Sequence, residues 1–137
     1  MNIDWVLVCR YVEVHDNLGT IVGAGIDAVW VPDIPAPIQV LLAVRLMGLP
    51  EELTIDQKHS VVSRVRDPQD QIVGEVGGDL SVEARSARPD WLAGIIVPAV
   101  IRFEVAKEGT HTVEQSVDAA SYAVPIHIVR GLPSNTD

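Results

Sequence analysis

Apolar and polar side chains alternate along most of this chain, and turn-forming residues separate the alternating segments. The pattern is clearest at residues 38–47, where every second side chain from Ile38 to Leu46 is aliphatic. Successive side chains of a β-strand point to opposite sides of a sheet, so a period of two is typical of strands with one buried face. No long segment has the helical period, and the sequence therefore predicts an all-β fold.

Turn signals between the alternating segments set the expected number of strands. We place strands at residues 3–14, 20–31, 38–47, 58–66, 72–76, 79–86, 95–106, 110–118 and 122–130. We expect one or two short helical turns at most, at 50–53 and 88–94, and we expect the glycine pair at 77–78 to end a strand. Eight or nine strands at regular spacing are typical of an antiparallel β-sandwich, Ig-like or jelly-roll-like.

Length and composition favour a single domain. The chain has 137 residues, and 47% of them are apolar, which is enough to form a core and to exclude general disorder. We find no internal repeat or linker that would divide the chain. We therefore predict one β-sandwich domain at residues 1–131 and a frayed C-terminal tail at 132–137.

The charge balance excludes some classes of partner. Lys and Arg number 10 and Asp and Glu number 19, so the formal net charge is −9, whereas nucleic acids and anionic membranes are bound by basic surfaces. The longest apolar segment, residues 95–101, is far shorter than the about 20 residues of a transmembrane helix. We find no targeting signal, and the single cysteine, Cys9, suits a reducing compartment. We expect a cytoplasmic protein that binds neither nucleic acid nor membrane.

Two hairpins carry a resemblance to Ig-like domains. Residues 65–73 resemble the hairpin that many such domains write as valine-x-aspartate-proline-x-glycine-x-valine, with Asp70 and Gln71 standing where the glycine is expected. Residues 108–129 resemble the closing hairpin of the same domains, with His111 at the usual tyrosine position. The resemblance implies a sandwich of Ig-like character.

Over its whole length, the chain is also similar to a family of small uncharacterised bacterial β-sandwich proteins. The similarity lies in the opening strand at 5–14, in the segment at 21–25 and in the closing hairpin. That family has no assigned activity, so the resemblance implies a fold and no function.

Residues that carry catalytic or metal chemistry are sparse. The histidines His15, His59, His111 and His127 lack the close spacing of metal ligands. Alternation places His59 and His111 on core-pointing faces and His127 in solvent. Cys9 lies within an apolar strand, where burial makes a thiol unreactive. We predict no catalytic, cofactor-binding or metal-binding residue, and a non-enzymatic role is the better interpretation.

Surplus apolar surface is the strongest functional signal in the sequence. The strands at 38–47 and 95–106 carry apolar side chains on both faces. The side chains opposite their core faces include Leu41, Ala43, Ile96 and Val100. A sandwich buries only one face of each sheet, so a second apolar face needs a cover. Another subunit is one such cover, and the 48–56 and 87–94 loops of the same chain are the alternative.

These observations predict a non-enzymatic module for protein interaction or self-assembly, with a homo-oligomer as the expected state. The candidate interface consists of Leu41, Ala43, Ile96, Val100 and Trp91. Trp91 is included as an exposed anchor, because most other aromatic residues fall on faces that we expect to be buried. The alternative is a small-ligand- or metal-binding β-sandwich, with hydrolytic activity as one option, that uses loop groups near Trp91, His15 and Asp16.

Overall fold

The computed structural model describes residues 1–132. Its ten strands are β1 (Asn2–Cys9), β2 (Tyr11–His15), β3 (Leu18–Val22), β4 (Ala28–Val31), β5 (Ala36–Gly48), β6 (His59–Arg66), β7 (Ile72–Leu80), β8 (Ala93–Val105), β9 (Gly109–Val117) and β10 (Ala120–Arg130). The described residues contain no α-helix, which confirms the predicted all-β class. Of the tail predicted at 132–137, all but Leu132 lies outside the described residues.

Two sheets pack face to face and enclose the core. One sheet has three strands in the order β1-β5-β8, and the other has five in the order β4-β10-β9-β6-β7. All neighbouring strands are antiparallel except β4, which runs parallel to β10. The inner face of β5 is the centre of the core, with buried side chains at Ile38, Val40, Leu42, Val44 and Leu46. The period-two pattern therefore identified both the sandwich and the buried face of its central strand.

The first two predicted strands are both interrupted, and their middle parts form a separate hairpin. β2 and β3 pair only with each other, as a two-stranded sheet outside the two main layers. The chain leaves β1 at Arg10 and returns through Gly23 and Gly25, whose φ angles of 64° and 87° lie in the left-handed region. The amide of Gly25 then donates to the carbonyl of Val8 over 3.0 Å. Glycine at these positions ends the alternation that a single strand would continue.

The strand break predicted at the glycine pair is wrong. β7 continues through Gly77 and Gly78 to Leu80, paired along its length with β6. The strand predicted at 79–86 is likewise wrong beyond Leu80, because residues 81–86 are irregular. Ala84 in this segment is buried and donates its amide to the carbonyl of Leu53 over 3.1 Å. Glycine within a strand often marks the close approach of another backbone, and a Cβ on Gly77 would lie 3.1 Å from the carbonyl oxygen of Val61.

Two predicted turns are present in the loops that flank β6. Before β6, the amide of Glu52 donates to the carbonyl of Leu49 over 2.9 Å, which closes one turn. After β6, the amide of Asp70 donates to the carbonyl of Asp67 over 2.9 Å, and Asp70 has a φ angle of 65°. The Ig-like pattern has glycine at this position, and aspartate is among the few other residue types that adopt the left-handed conformation.

Candidate interaction surface

The outer face of the three-stranded sheet, which the sequence singled out, is covered mainly by the chain itself. Ala43 is fully buried, and Leu41 and Ile96 are half-buried. The cover is the β2–β3 hairpin, which contacts both β5 and β8. A Cβ on Gly19 of this hairpin would lie only 2.7 Å from Cδ1 of Ile96. This part of the cover is one that the sequence did not suggest, because the predicted strands left no segment free to fold back over the sheet.

Val100 is the candidate residue of this sheet that stays exposed, with 43% of its surface accessible. It lies on β8, the edge strand of the three-stranded sheet, and it lines a groove of about 220 Å³ between β8 and β7. β7 is the edge strand of the five-stranded sheet, so the groove marks the line along which two sheet edges meet. We call this line the β7–β8 seam.

The β7–β8 seam is closed at one end and open at the other. At Gly74, β7 approaches β8 so closely that a Cβ would lie 2.8 Å from the Cβ of Phe103. At Gly78, a Cβ would meet no atom within 4 Å. The groove lies at this open end, and its lining is mostly apolar, with Val61, Val76, Leu80, Ala99 and Val100 among the residues. Val76 itself is 47% exposed.

Among the strands of residues 1–132, β7 pairs its backbone with β6 alone, and it packs near β8 of the other sheet. An edge strand presents a row of backbone donors and acceptors that another strand can pair with. Charged side chains are a common protection against such pairing, and β7 carries Glu75 and Asp79. Glu75, however, accepts a hydrogen bond from Nε of Arg64 over 2.7 Å, and Arg64 also contacts Glu114 at 3.2 Å. The Glu75 charge is therefore held against the neighbouring strands.

Trp91 is exposed, as the sequence predicted, with 52% of its surface accessible. The Arg88 guanidinium lies 5.2 Å from the centre of the Trp91 ring, within cation–π range. Arg88 also makes two hydrogen bonds to the Asp90 carboxylate, at 3.0 and 2.8 Å. Two residues of the candidate interface therefore lie on different elements: Trp91 on a surface loop and Val100 at the β7–β8 seam.

The expectation that most aromatic residues are buried is wrong. Besides Trp91, the exposed ones are Tyr11 (48%), Trp30 (46%) and Tyr122 (37%). Trp30 lies on the short edge strand β4, and Tyr11 lies on the outer face of the β2–β3 hairpin. Both strands were predicted to be parts of longer strands with one inner face, which is why their aromatic side chains were assigned to the core.

The outer face of the β2–β3 hairpin also carries a small group of titratable side chains. The Tyr11 hydroxyl donates to Oε2 of Glu13 over 2.8 Å, and His15 contacts the other oxygen of the same carboxylate. The hydrogen bond to Glu13 raises the pKa of Tyr11, and the one from His15 lowers the pKa of Glu13. All three side chains face solvent. No group of three or more His, Cys, Asp or Glu residues with the geometry of a metal site occurs within residues 1–132.

His59 is a core-facing histidine, as predicted, and it is 6% exposed. Its Nδ1 lies 2.7 Å from Oδ2 of Asp118, and its Nε2 lies 2.9 Å from the carbonyl oxygen of Glu52. A carbonyl oxygen and a carboxylate are both acceptors, so this arrangement favours the imidazolium form, in which both ring nitrogens donate. The hydrogen bond to Asp118 raises the pKa of His59, and its counterpart lowers the pKa of Asp118. This pair joins the start of β6 to the turn between β9 and β10 at the open end of the seam.

Three positions considered in the sequence remain, namely His111, His127 and Cys9, and the contacts of each lie within the fold. His111 is buried, and its Nδ1 lies 3.1 Å from the carbonyl oxygen of Gly109. His127 is exposed, as predicted, and its Nδ1 lies 3.0 Å from the hydroxyl oxygen of Thr110. Cys9 is buried, and burial raises the pKa of its thiol. The buried thiol is therefore a poor nucleophile.

A second, polar cavity lies near residues that the sequence linked to ligand binding. It has a volume of about 520 Å³ and is lined by Asp16, Asn17, Glu83, Arg85 and Gly94. The amide of the Asn17 side chain donates to the carbonyl of Glu83 over 3.3 Å. Arg85 and Glu83 are both well exposed. The cavity is an open surface hollow with charges of both signs.

No protein-family model matches the chain, and no curated protein matches it. Among solved structures, the chain is similar to part of a β-glucuronidase from glycoside hydrolase family 2, with 11% sequence identity and a TM-score of 0.46. The match covers 66% of this chain and 10% of the β-glucuronidase chain. The chain thus spans about a tenth of that enzyme. A likeness this distant carries no argument about function.

Sequence reasoning missed the open end of the seam because it ended a strand at the glycine pair. A signal was available, because the apolar residues Val76 and Leu80 flank the glycine pair and keep the period of two through 77–78.

Residues 1–132 contain no helical segment with the length and apolar character that crossing a bilayer requires.

Proposed function

We propose that this chain is a non-enzymatic protein-interaction module that binds through the open end of the β7–β8 seam. The observation that supports the proposal is the combination of an apolar groove with an edge strand. The groove supplies apolar contact area, and β7 supplies backbone hydrogen-bonding groups. Strand addition at a sheet edge uses both, since main-chain hydrogen bonds give affinity and side-chain pockets give specificity.

The strand order supports an Ig-like framework for this role. With the hairpin and the short β4 set aside, the first, second and fifth strands (β1, β5 and β8) form one sheet, and the third, sixth and seventh (β6, β9 and β10) lie in the other. Ig-like sandwiches of the constant type place the corresponding strands in the same two groups, except that their fourth strand joins the first sheet, whereas the fourth strand here, β7, joins the second. In this proposal the module is cytoplasmic, where its single thiol at Cys9 stays reduced.

The proposal is tested by immobilising the wild type and three variants and comparing which proteins each retains. Unlabelled wild-type chain is added as one of the candidate partners. Val76→Lys and Val100→Lys place a charge in the groove, and Ile55→Lys, at a 62% exposed position in the loop before β6, is the matched control. We expect a partner, once purified, to bind Val76→Lys about tenfold more weakly than the wild type and to bind Ile55→Lys unchanged. Thermal unfolding establishes that all three variants are folded.

The opposite result would remove the proposal. If every protein that the wild type retains, including the chain itself, is retained equally by both groove variants, then the seam is not a binding surface.

The polar cavity at Asp16 supports a second candidate, small-ligand binding. Its volume of about 520 Å³ suits a small polar molecule. A thermal-shift screen of such molecules and of divalent cations tests it, since a ligand that binds the folded state raises the melting temperature. The Asn17→Ala variant should abolish the shift, and a shift that survives this change would place binding elsewhere.

A further inference from the structure

We propose that His59 is a pH-sensitive switch, which holds the β5–β6 loop (residues 49–58) against the sandwich while its ring is charged and releases this loop when the ring loses a proton. The inference goes beyond the proposed function, because it concerns a buried contact and not the groove. Three groups form the switch: the His59 ring at the start of β6, the Asp118 carboxylate in the turn between β9 and β10, and the carbonyl group of Glu52 in the loop.

The contact between His59 and Asp118 is the more firmly held of the two. Oδ1 of Asp118 accepts a hydrogen bond from the amide of Ser60 over 2.9 Å, and the amide of Asp118 donates to the carbonyl of Ser60 over 2.8 Å. These two bonds join the turn to β6 without the ring. A hydrogen bond to an ionised acceptor is also about twice as strong as one to a neutral acceptor. A neutral ring therefore keeps its remaining proton on Nδ1, facing Asp118.

The contact between His59 and Glu52 is the one that is lost when the ring is neutral. With its proton on Nδ1, the ring presents Nε2 as an acceptor to the carbonyl oxygen of Glu52, 2.9 Å away. Two acceptors cannot form a hydrogen bond, and a buried acceptor without a donor is destabilising. The loop is the part that moves, because β6 fixes the ring through regular pairing with β7, where Leu80 lies opposite His59.

Release of the loop exposes apolar surface at one place in the fold. Leu53 of the loop is fully buried, and its carbonyl oxygen accepts a hydrogen bond from the amide of Ala84 over 3.1 Å. Withdrawal of the loop breaks this bond and brings both residues into contact with water. Burial of a leucine side chain favours the closed loop. Loss of the proton therefore raises the population of the open loop without making it the main state.

The charges around the ring set the direction of the pH dependence. The hydrogen bond to Asp118 is the main cause that raises the pKa of His59, burial lowers it, and the bond to the Glu52 carbonyl raises it. The Met1 ammonium group, which is 2.7 Å from the Glu52 carboxylate, lowers it slightly, and Leu80 on β7 carries no charge. Release of the loop removes the Glu52 bond, whereas Asp118 and the sandwich still surround the ring. The closed loop therefore binds the proton more tightly, and the open loop gains as pH rises.

Nuclear magnetic resonance of the full chain tests which contact is lost. We expect the His59 ring to lose its proton above its ordinary pKa of about 6.5 and to keep the remaining proton on Nδ1. The matched control is His127→Gln, which removes an exposed histidine and should leave the titration of His59 unchanged. A neutral His59 ring with its proton on Nε2 would overturn the inference, because the bond to Glu52 would then survive.

Hydrogen exchange of the wild type measures the release itself. We expect the Ala84 amide to exchange by local opening, faster than the amides of the central strand β5. Its opening constant, corrected for the intrinsic pH dependence of exchange, should rise about tenfold as His59 loses its proton, which corresponds to the loss of one hydrogen bond from a charged donor. The inference is overturned if this constant stays unchanged through the titration, or if Ala84 exchanges only together with β5.

Two variants assign the effect to the switch. His59→Gln has no titrating ring, so its Ala84 opening constant should not vary with pH. Asp118→Asn removes the charge that favours the imidazolium form, so the rise should occur at lower pH than in the wild type. A rise that persists in His59→Gln would assign the pH dependence to another group and would overturn the inference.

Discussion

The two ends of the β7–β8 seam use the same residue type in opposite ways. At the closed end, the missing side chain of Gly74 lets two strands touch, since a Cβ there would lie 2.8 Å from Phe103. At the open end, the missing side chain of Gly78 leaves empty space beside a groove. Packing at one end and access at the other therefore come from glycines four residues apart. The comparison suggests that stability resides mainly at the closed end and binding at the open end.

The largest expected difference between the ends concerns two side chains of β8. Phe103 is 6% exposed, and its ring lies 6.1 Å from that of His111. We expect Phe103→Ala to lower the free energy of unfolding by about 3–5 kcal/mol, because it removes a buried ring and leaves a cavity. Val100→Ala, at a 43% exposed position, should change it by at most about 0.5 kcal/mol. Urea denaturation measures the free energy of unfolding of both variants. Equal losses would show that the two ends of the seam contribute equally to stability.

The glycines themselves give the most direct test. Gly74→Ala should destabilise the fold by about 2 kcal/mol, because the new methyl group meets the Cβ of Phe103 and the carbonyl oxygen of Arg102. Gly78→Ala should be neutral or stabilising by up to about 0.5 kcal/mol, since nothing lies within reach and the unfolded chain loses freedom. Thermal unfolding of the two variants, side by side, decides the matter. Similar melting temperatures would mean that β7 and β8 shift at the closed end to accommodate the added methyl group.

A smaller effect, dependent on pH, is expected at the hydrogen-bonded pair of His59 and Asp118, near the open end of the seam. The raised pKa of His59 stabilises the fold below its unfolded value of about 6.5, and this contribution is lost as pH rises through the folded pKa. The lowered pKa of Asp118 stabilises the fold above about 3.9, and this contribution is lost as pH falls through its folded pKa. The Met1 ammonium group lowers the pKa of both residues slightly, and the hydrogen bond to the Glu52 carbonyl raises the pKa of His59.

The substitution Asp118→Asn isolates this contribution. Asparagine adopts the φ angle of 51° that Asp118 has, so the backbone is kept while the charge is removed. We expect a loss of about 1 kcal/mol between pH 4 and 6.5, moderated because the carboxylate is 47% exposed, and a smaller loss outside this range. A loss that is constant across pH would show that the imidazolium–carboxylate pair is not its source.

The smallest expected change lies in the turn that leads to the closed end. Asp70 holds a φ angle of 65°, which glycine adopts without strain. We expect Asp70→Gly to raise the free energy of unfolding by about 0.5 kcal/mol, offset slightly by loss of the 3.9 Å contact with Arg66. Gln69→Gly, at a neighbouring position without positive φ, should lower it. A stabilising effect of both changes would contradict the role of backbone strain.

The core could be read from the sequence because alternation is a local signal. The buried face of β5, from Ile38 to Leu46, and the buried positions of His59 and His111 all follow from period two. The β2–β3 hairpin could not be foreseen in this way, because alternation shows that a face is apolar and not which segment covers it. Gly23 and Gly25 indicated that the strand could be interrupted there. Their positive φ angles, however, depend on where the chain turns in the folded structure.

The candidate surface was harder to predict than the core for a related reason. Val100 and Trp91 are exposed as the sequence suggested, whereas Ala43 is fully enclosed. The groove depends on the separation between two edge strands, β7 and β8, and no local pattern encodes that distance. The glycines of β7 are the local feature that coincides with the groove. A glycine in a sequence is compatible both with a turn and with a gap in packing, so it does not predict which of them occurs.

The parallel pair of β4 and β10 joins residues 28–31 to residues 127–130, near the two ends of the described chain. β10 also lies between β4 and β9, so it separates one edge strand from the rest of its sheet. During synthesis from the N-terminus, β4 therefore has no neighbour in its sheet until the last strand leaves the ribosome. Completion of this sheet therefore waits for β10, and a nascent chain that stalls before residue 120 leaves both β4 and one edge of β9 without their neighbour.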